Sequence, residues 1–193
     1  MNTELEPQGQ SQQILETLSR FYKQEVLPVR RQMDTDPQIC KRLLKGLGQL
    51  GFLAPHLPEE YGGINCSRQL KAAMSRVSNK ISPSLGLSTG AHGLLATNGI
   101  YFFGSDEQKK RYLPRLASGE IIGAWGVTEP GAGSDVGGME STAILKGDEY
   151  ILNGNKTFIT NAPICDVAVV YAKLSKDPES ITTFIVERGQ AGL

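Results

Sequence analysis

The chain has 193 residues, in which 20 basic side chains balance 20 acidic ones and 39% of positions are hydrophobic. Zero net charge excludes a nucleic-acid binder that works through a broad basic surface, and the composition is that of a folded chain, neither disordered nor collagen-like. The length suits one generous domain or two small ones.

No apolar run reaches the roughly 20 residues of a membrane-spanning helix. The opening MNTELEPQGQ lacks the basic start and apolar stretch of a signal peptide. A cytoplasmic location is therefore expected, or the mitochondrial matrix in a eukaryote, though no clear transit peptide is evident. Cys40, Cys66 and Cys165 are odd in number, far apart and without CxxC spacing. That pattern fits a reducing compartment, with neither a disulfide scaffold nor a metal site expected.

Residues 1–10 read as a flexible tail. Within 11–26 the apolar positions Ile14, Leu15, Leu18, Phe21, Tyr22 and Val26 share one helical face, and Pro28 ends the pattern. Asp36 followed by Pro37 starts a second helix, with Ile39, Leu43, Leu44, Leu47 and Leu50 as its stripe and Gly51 as its stop. Ser67 caps a third, carrying Leu70, Ala73, Met74, Val77 and Ile81. From 83 to 103 small residues, among them Gly86, Gly90, Gly93 and Gly99, lie all around a helix. Glycine costs about 1 kcal/mol against alanine in a helix interior. This segment is therefore expected to be a central helix pressed against neighbours or a ligand. SDEQ at 105–108 is a capping box with acids in the first turn and Lys109, Lys110 and Arg111 further along.

After Gly119 the period changes to two. Segments 121–127, 141–146, 149–152, 156–160, 167–173 and 181–186 read as strands, with turns at Gly147-Asp148 and Asn153-Gly154. Helices followed by consecutive strands give an α+β chain: a helical domain over 11–120, then a β-domain over 121–193. A bare, apolar final strand invites stray pairing. The β-domain is accordingly expected to be incomplete, either continued beyond Leu193 or covered by a partner.

The stretch WGVTEPGAGSD at 125–135 carries the most chemistry. It follows a strand and gathers Thr128, Ser134, the backbone amides around Gly131 and Gly133, and a rigid Glu-Pro pair. Such a loop can place hydroxyls and amides around a phosphate or the polar edge of a heteroaromatic ring. An inconsequential glycine-rich connection is the plain alternative. Other motifs fail. A dinucleotide fingerprint needs glycine at position 136, which is Val136, and no helix pattern follows. The Gly-Lys-Ser/Thr of a P-loop is absent, and a nucleophile elbow needs glycine where Ala132 stands. With only His56 and His92, a histidine metal site or a Ser-His-Asp triad has little material.

At this loop the sequence resembles the acyl-CoA dehydrogenase family. Four pieces match in the family's order: LPEEYGG at 57–63, FGSDEQKKRYLPRLASGE at 103–120, WGVTEPGAGSD at 125–135 and GDEYILNGNKTFITNA at 147–162. The resemblance implies a helical N-terminal domain, an antiparallel β-barrel-like middle domain (here incomplete) and FAD extended between them; the family's C-terminal helical bundle has no match. By that match the flavin is held by Trp125, Gly126, Val127, Thr128, Gly133, Ser134, Phe158, Ile159 and Thr160. Thr128 would bond the pyrimidine side of the isoalloxazine, Thr160 would reach the N5 region, and Phe158 would cover a ring face. Ser134 would sit where the phosphate part of FAD meets the acyl-CoA substrate. Many relatives carry tryptophan where this chain has Phe158, so stacking survives and the indole N–H is lost.

The reaction so implied is α,β-desaturation of an acyl-CoA thioester, with hydride transfer to flavin N5 and electron-transfer flavoprotein as the acceptor. The general base of the family lies in the C-terminal domain and is expected beyond Leu193; neither Glu129 nor Glu140 is nominated for it. The stretches GLSTGAH at 86–92, YILNGNK at 150–156 and VVYAKL at 169–174 are most similar to isovaleryl-CoA dehydrogenase and its short or branched-chain relatives. NAPICD at 161–166 and GGMESTA at 137–143 are similar to glutaryl-CoA dehydrogenase, but the arginine that subfamily places before its central helix is missing from 81–86. The family forms homo-oligomers, a state not extended to this chain. The chain alone is expected to be a poor catalyst. The alternative is a non-catalytic flavin or acyl-CoA binding module, or a subunit completed by a second polypeptide.

Overall fold

The computed structural model describes residues 8–175, 177–190 and 192. Most of the tail expected over 1–10 lies outside the described residues, and the first helix, α1 (Gln8–Phe21), begins three residues before Ser11 and runs into a π-helical turn, Tyr22–Val26. Helix α2 (Pro37–Gln49) starts where Asp36 accepts from the Gln38 N–H at 2.9 Å with Pro37 in the first turn. It stops at Gly51, whose φ of +74° suits glycine. Helix α3 (Arg68–Ile81) is capped by Ser67 and the next by Ser82. The segment 83–103 is one helical run: α4 (Pro83–Gly90), a π-helical stretch Ala91–Ala96, and α5 (Thr97–Phe103). The close packing its small residues predict is present at Gly99, where an added Cβ would lie 3.3 Å from Val169 of the sheet. Helix α6 (Asp106–Ala117) opens with the expected box, Ser105 and Gln108 exchanging bonds of 3.2 and 2.9 Å.

The strands are β1 (Gly123–Gly126), β2 (Thr142–Lys146), β3 (Glu149–Asn153), β4 (Val167–Lys173) and β5 (Ile181–Glu187). They form one mixed sheet in the order β1-β4-β2-β3, with β5 also on β4. The α+β reading stands, but two pairings are parallel where an antiparallel sheet was expected. Strand β4 runs parallel to β1 over four residue pairs and meets β2 in parallel at Thr142–Lys173. The chain between β1 and β4 is long enough for the crossover that parallel neighbours require.

Two further expectations are corrected. The hairpin at Gly147-Asp148 forms, joining Lys146 to Glu149, but Asn153-Gly154 makes no second hairpin, because Gly154 packs directly on Ser141. Segment 156–160 is not a strand: Phe158 has φ +55° and Asn161 φ +71°, values that interrupt the pleat.

One buried cluster gathers Leu18, Tyr22, Leu43, Leu47, Leu70 and Met74 between the helices. A second, including Ile100, Leu113, Leu116, Val167 and Val169, joins α5 and α6 to the sheet. One group of apolar residues left uncovered lies on the β2–β3 hairpin, where Ile144, Leu145, Tyr150, Ile151 and Leu152 are all exposed.

Candidate functional site

The loop after β1 is a built structure. Its turn is closed by reciprocal backbone bonds between Glu129 and Ala132, 2.9 and 3.2 Å, around Pro130 and Gly131. The N–H groups of Gly131, Gly133 and Ser134 take no part in closing it and sit in exposed chain. Asp135 then caps the short helical turn Val136–Gly138.

A second loop, 154–161, lies against the first. Thr157 N–H donates to Thr128 O at 2.9 Å, and Lys156 Nζ donates to Val127 O at 3.1 Å and to Glu129 Oε1 at 2.7 Å. Glu129 also accepts from Glu140 N–H at 2.6 Å, from Ser141 N–H at 3.1 Å and from the Ser141 hydroxyl. Burial pushes the Glu129 carboxyl upward, but the Lys156 ammonium, the Ser141 hydroxyl and the two backbone donors outweigh it and hold it at about 2. A carboxylate so occupied is an anchor and is ill suited to accept a proton from a substrate.

The cross-brace brings the backbone of 127–128 beside 156–157, and Phe158, Ile159 and Thr160 follow directly after it. Thr128, Ile159 and Thr160 are half-buried. Phe158 is 91% exposed although it is a large apolar ring held at positive φ. A bulky residue in that conformation with its ring in solvent is doubly costly. Trp125 is half-buried edge-on against Tyr171, ring centres 5.5 Å apart, and Gly126 ends β1 under Val170 and Lys156. Gly133 and Ser134 lie beyond the closed turn, exposed, with no hydrogen bond to 158–160.

Several positioning residues escape sequence reasoning. Asn161, buried at positive φ, donates through Nδ2 to Ser88 O at 2.9 Å and Gly123 O at 3.2 Å. His92, fully buried in the π-helical stretch, accepts from Gly123 N–H at 2.9 Å through Nδ1, so its Nε2 donates to Leu116 O at 3.0 Å. Burial holds this ring at about 4 against an ordinary 6.5, despite the bond to Leu116 O. An asparagine tolerates left-handed backbone, a weak clue; a lone buried histidine carries none. A cavity of about 80 Å³ inside the helical layer, lined by Tyr22, His56, Lys71 and Thr89, includes none of the candidate loop residues.

An aromatic ring offered to solvent in a loop braced to the one that carries Thr128, with amides left unspent at Gly131, Gly133 and Ser134, is compatible with a flat heteroaromatic group that has a polar rim. Known proteins agree in kind. Residues 8–120 match the family profile for the acyl-CoA dehydrogenase N-terminal domain, and 124–193 that for the middle domain. A probable acyl-CoA dehydrogenase of Bacillus subtilis is 43% identical over 183 residues, 93% of this chain and 30% of that protein. The mitochondrial isovaleryl-CoA dehydrogenase of Pongo abelii is 40% identical over 189 residues, 95% of this chain and 45% of that one. The crystal structure of an acyl-CoA dehydrogenase complexed with FAD from Bacillus anthracis superposes with a TM-score of 0.91 at 38% identity, over 97% of this chain and 32% of that one. The chain thus spans between 30% and 45% of the length of these relatives. With both domain profiles matched in order and the fold shared at this identity, the chain belongs to the acyl-CoA dehydrogenase family.

Proposed function

We propose that these residues are the flavin-binding half of an FAD-dependent acyl-CoA dehydrogenase that desaturates a short or branched-chain acyl-CoA thioester between its α and β carbons. The observation that carries the reading is Phe158, a strained and exposed ring in a loop hydrogen-bonded to the one that presents Thr128. In this reading the Phe158 ring covers a face of the isoalloxazine. The Thr128 hydroxyl bonds its pyrimidine edge, the Thr160 hydroxyl reaches the N5 side, and Trp125, Gly126, Val127 and Ile159 shape the slot. Bound FAD would supply the hydride acceptor at N5.

Gly133 and Ser134 present amides and a hydroxyl to the phosphate portion of FAD, with Ser134 also facing the acyl-CoA. Leu87, Leu94 and Leu95 are exposed on the central helix, which also carries Ser88, whose carbonyl holds Asn161 next to Thr160. A small aliphatic acyl chain is the group such a surface would cover. The electron acceptor is electron-transfer flavoprotein, in keeping with the family resemblance.

The reaction needs a general base, and Glu129 is spent on four donors while Glu140 is exposed ahead of β2. Neither is offered as the base, and slow turnover is expected when the 193 residues are assayed alone. A second reading, a binding module or a subunit completed by another polypeptide, draws on the uncovered apolar β2–β3 hairpin. The test is to titrate FAD into the chain and assay isovaleryl-CoA oxidation. Bound flavin with little turnover supports the first reading, and turnover restored by a separate helical polypeptide supports the second. Absence of flavin binding, both alone and with a separate helical polypeptide added, removes the first reading.

A further inference from the structure

Glu129 and Lys156 are almost out of solvent, their side chains 5% and 13% exposed, and neither carries a step in the reaction proposed above. A buried ion pair is weak evidence for stability. Desolvation of the two charges offsets most of their attraction, and well-packed apolar pairs often serve as well. What distinguishes this pair is what it joins. Lys156 Nζ grips Val127 O and Glu129 Oε1, the residues on either side of Thr128. Thr157, the next residue, holds Thr128 O. The carboxylate of Glu129 then collects Glu140 and Ser141 from the entry to β2. Three stretches of chain that share no regular strand pairing at this point are thereby tied together, and Phe158 follows one residue after the tie.

We propose that Glu129 and Lys156 are positioning residues of the flavin site. They set the gap between the Thr128 and 158–160 loops, and by cancelling each other's charge they leave the bound ring in a neutral local field. This rests on the flavin reading above. Two consequences follow from electrostatics. Removing the carboxylate leaves an uncompensated ammonium in the brace, which would favour electron uptake by a ring bound against these loops. Removing the ammonium leaves a carboxylate, which disfavours it. A pair remote from the bound ring would produce no such opposition of sign.

The experiment uses the full chain with FAD as the probe. Affinity is read by quenching of flavin fluorescence, the reduction potential of the bound flavin by equilibration with a redox dye at mildly alkaline pH, and folding by urea melts of each variant without FAD. Glu129→Gln keeps one acceptor oxygen, which can serve the Ser141 N–H at Oε1 but not also the Glu140 N–H at Oε2, so its folding is checked by the melts; Lys156→Met and Lys156→Arg complete the set. Glu129→Gln and Lys156→Met are each expected to bind FAD roughly tenfold or more weakly, since a loosened supporting shell misplaces the groups it holds. The potential is expected to rise in Glu129→Gln and fall in Lys156→Met. Lys156→Arg, which keeps the charge, should hold the wild-type potential even where affinity drops. Unchanged affinity and potential in folded Glu129→Gln, or potentials moving the same way in the two neutralised variants, overturns the proposal while leaving the flavin reading intact. A wild-type chain that binds no FAD overturns both.

Discussion

Gly123 is held from two directions: its N–H bonds His92 Nδ1 at 2.9 Å, and its carbonyl takes the Asn161 amide at 3.2 Å. The first bond ties the start of β1 to the central helix. The second ties it to the loop that carries Phe158 and Thr160. The geometry of the candidate site is therefore transmitted through one glycine at the seam between helices and sheet.

His92 makes that seam acid-sensitive. Buried and neutral, its ring resists protonation until about pH 4, whereas in the unfolded chain it takes a proton near 6.5. Between those values the unfolded state binds more protons. The stabilisation is full above the unfolded value and is lost as pH falls through the folded one. For a fully buried ring this comes to about 3 kcal/mol. His56, also near 4 through burial and the neighbouring Lys71, adds a smaller effect of the same sign because it is partly exposed. Urea melts from neutral pH down to about 4 are expected to show a steady fall in stability. A flat profile over that range contradicts this account of His92.

Acid loss continues in a second window. Glu129, held at about 2 against an ordinary 4.5, contributes stability that is complete above the higher value and disappears as pH falls through the lower one. Glu129→Gln should flatten the profile below about pH 4.5 and leave the histidine window untouched.

A Cβ at position 123 would lie 2.9 Å from Ala96 Cβ and 3.3 Å from a Leu116 methyl. Gly123→Ala should therefore destabilise the chain by about 2 kcal/mol through overpacking. It should also weaken flavin binding, because the Asn161 amide moves with it. Stability within a few tenths of a kcal/mol of wild type, by urea melts, would show that the seam yields more easily than its packing implies.

Phe158 should behave oppositely in the two assays. Phe158→Gly removes a strained conformation costing about 1 kcal/mol and hides no buried ring, so the chain without FAD is expected to be as stable as wild type or more so. Flavin affinity should fall, since the stacked face is gone. Lost stability together with unchanged affinity would place Phe158 outside the site.

Much of this arrangement is legible in local sequence. The Asp36–Pro37 start, the Ser105–Gln108 box and the Gly147–Asp148 turn depend on residues within a few positions of one another. The switch from a period near four to a period of two after Gly119 marks the seam. Segment 156–160 misleads, because Lys-Thr-Phe-Ile-Thr is rich in the β-branched and aromatic residues that strands favour. Its backbone is decided by distant partners: Thr128 for Thr157, and Ser88 and Gly123 for Asn161. The parallel pairing of β1 with β4 is likewise a choice of neighbour that neither strand records. Glu129 and Lys156 lie 27 residues apart in different loops, so no spacing rule joins them, though a lone glutamate before proline in an otherwise uncharged turn is the kind of residue that needs a partner.

The most direct measurement of the central claim titrates FAD into the purified chain and into Thr128→Val, Phe158→Ala and Thr160→Val, following flavin absorbance and fluorescence. One saturable site in the wild type, weakened by each substitution with folding intact, is the expected result. A chain that takes up no flavin, or that binds it equally well in all three variants, would show that these side chains do not converge on a shared ring.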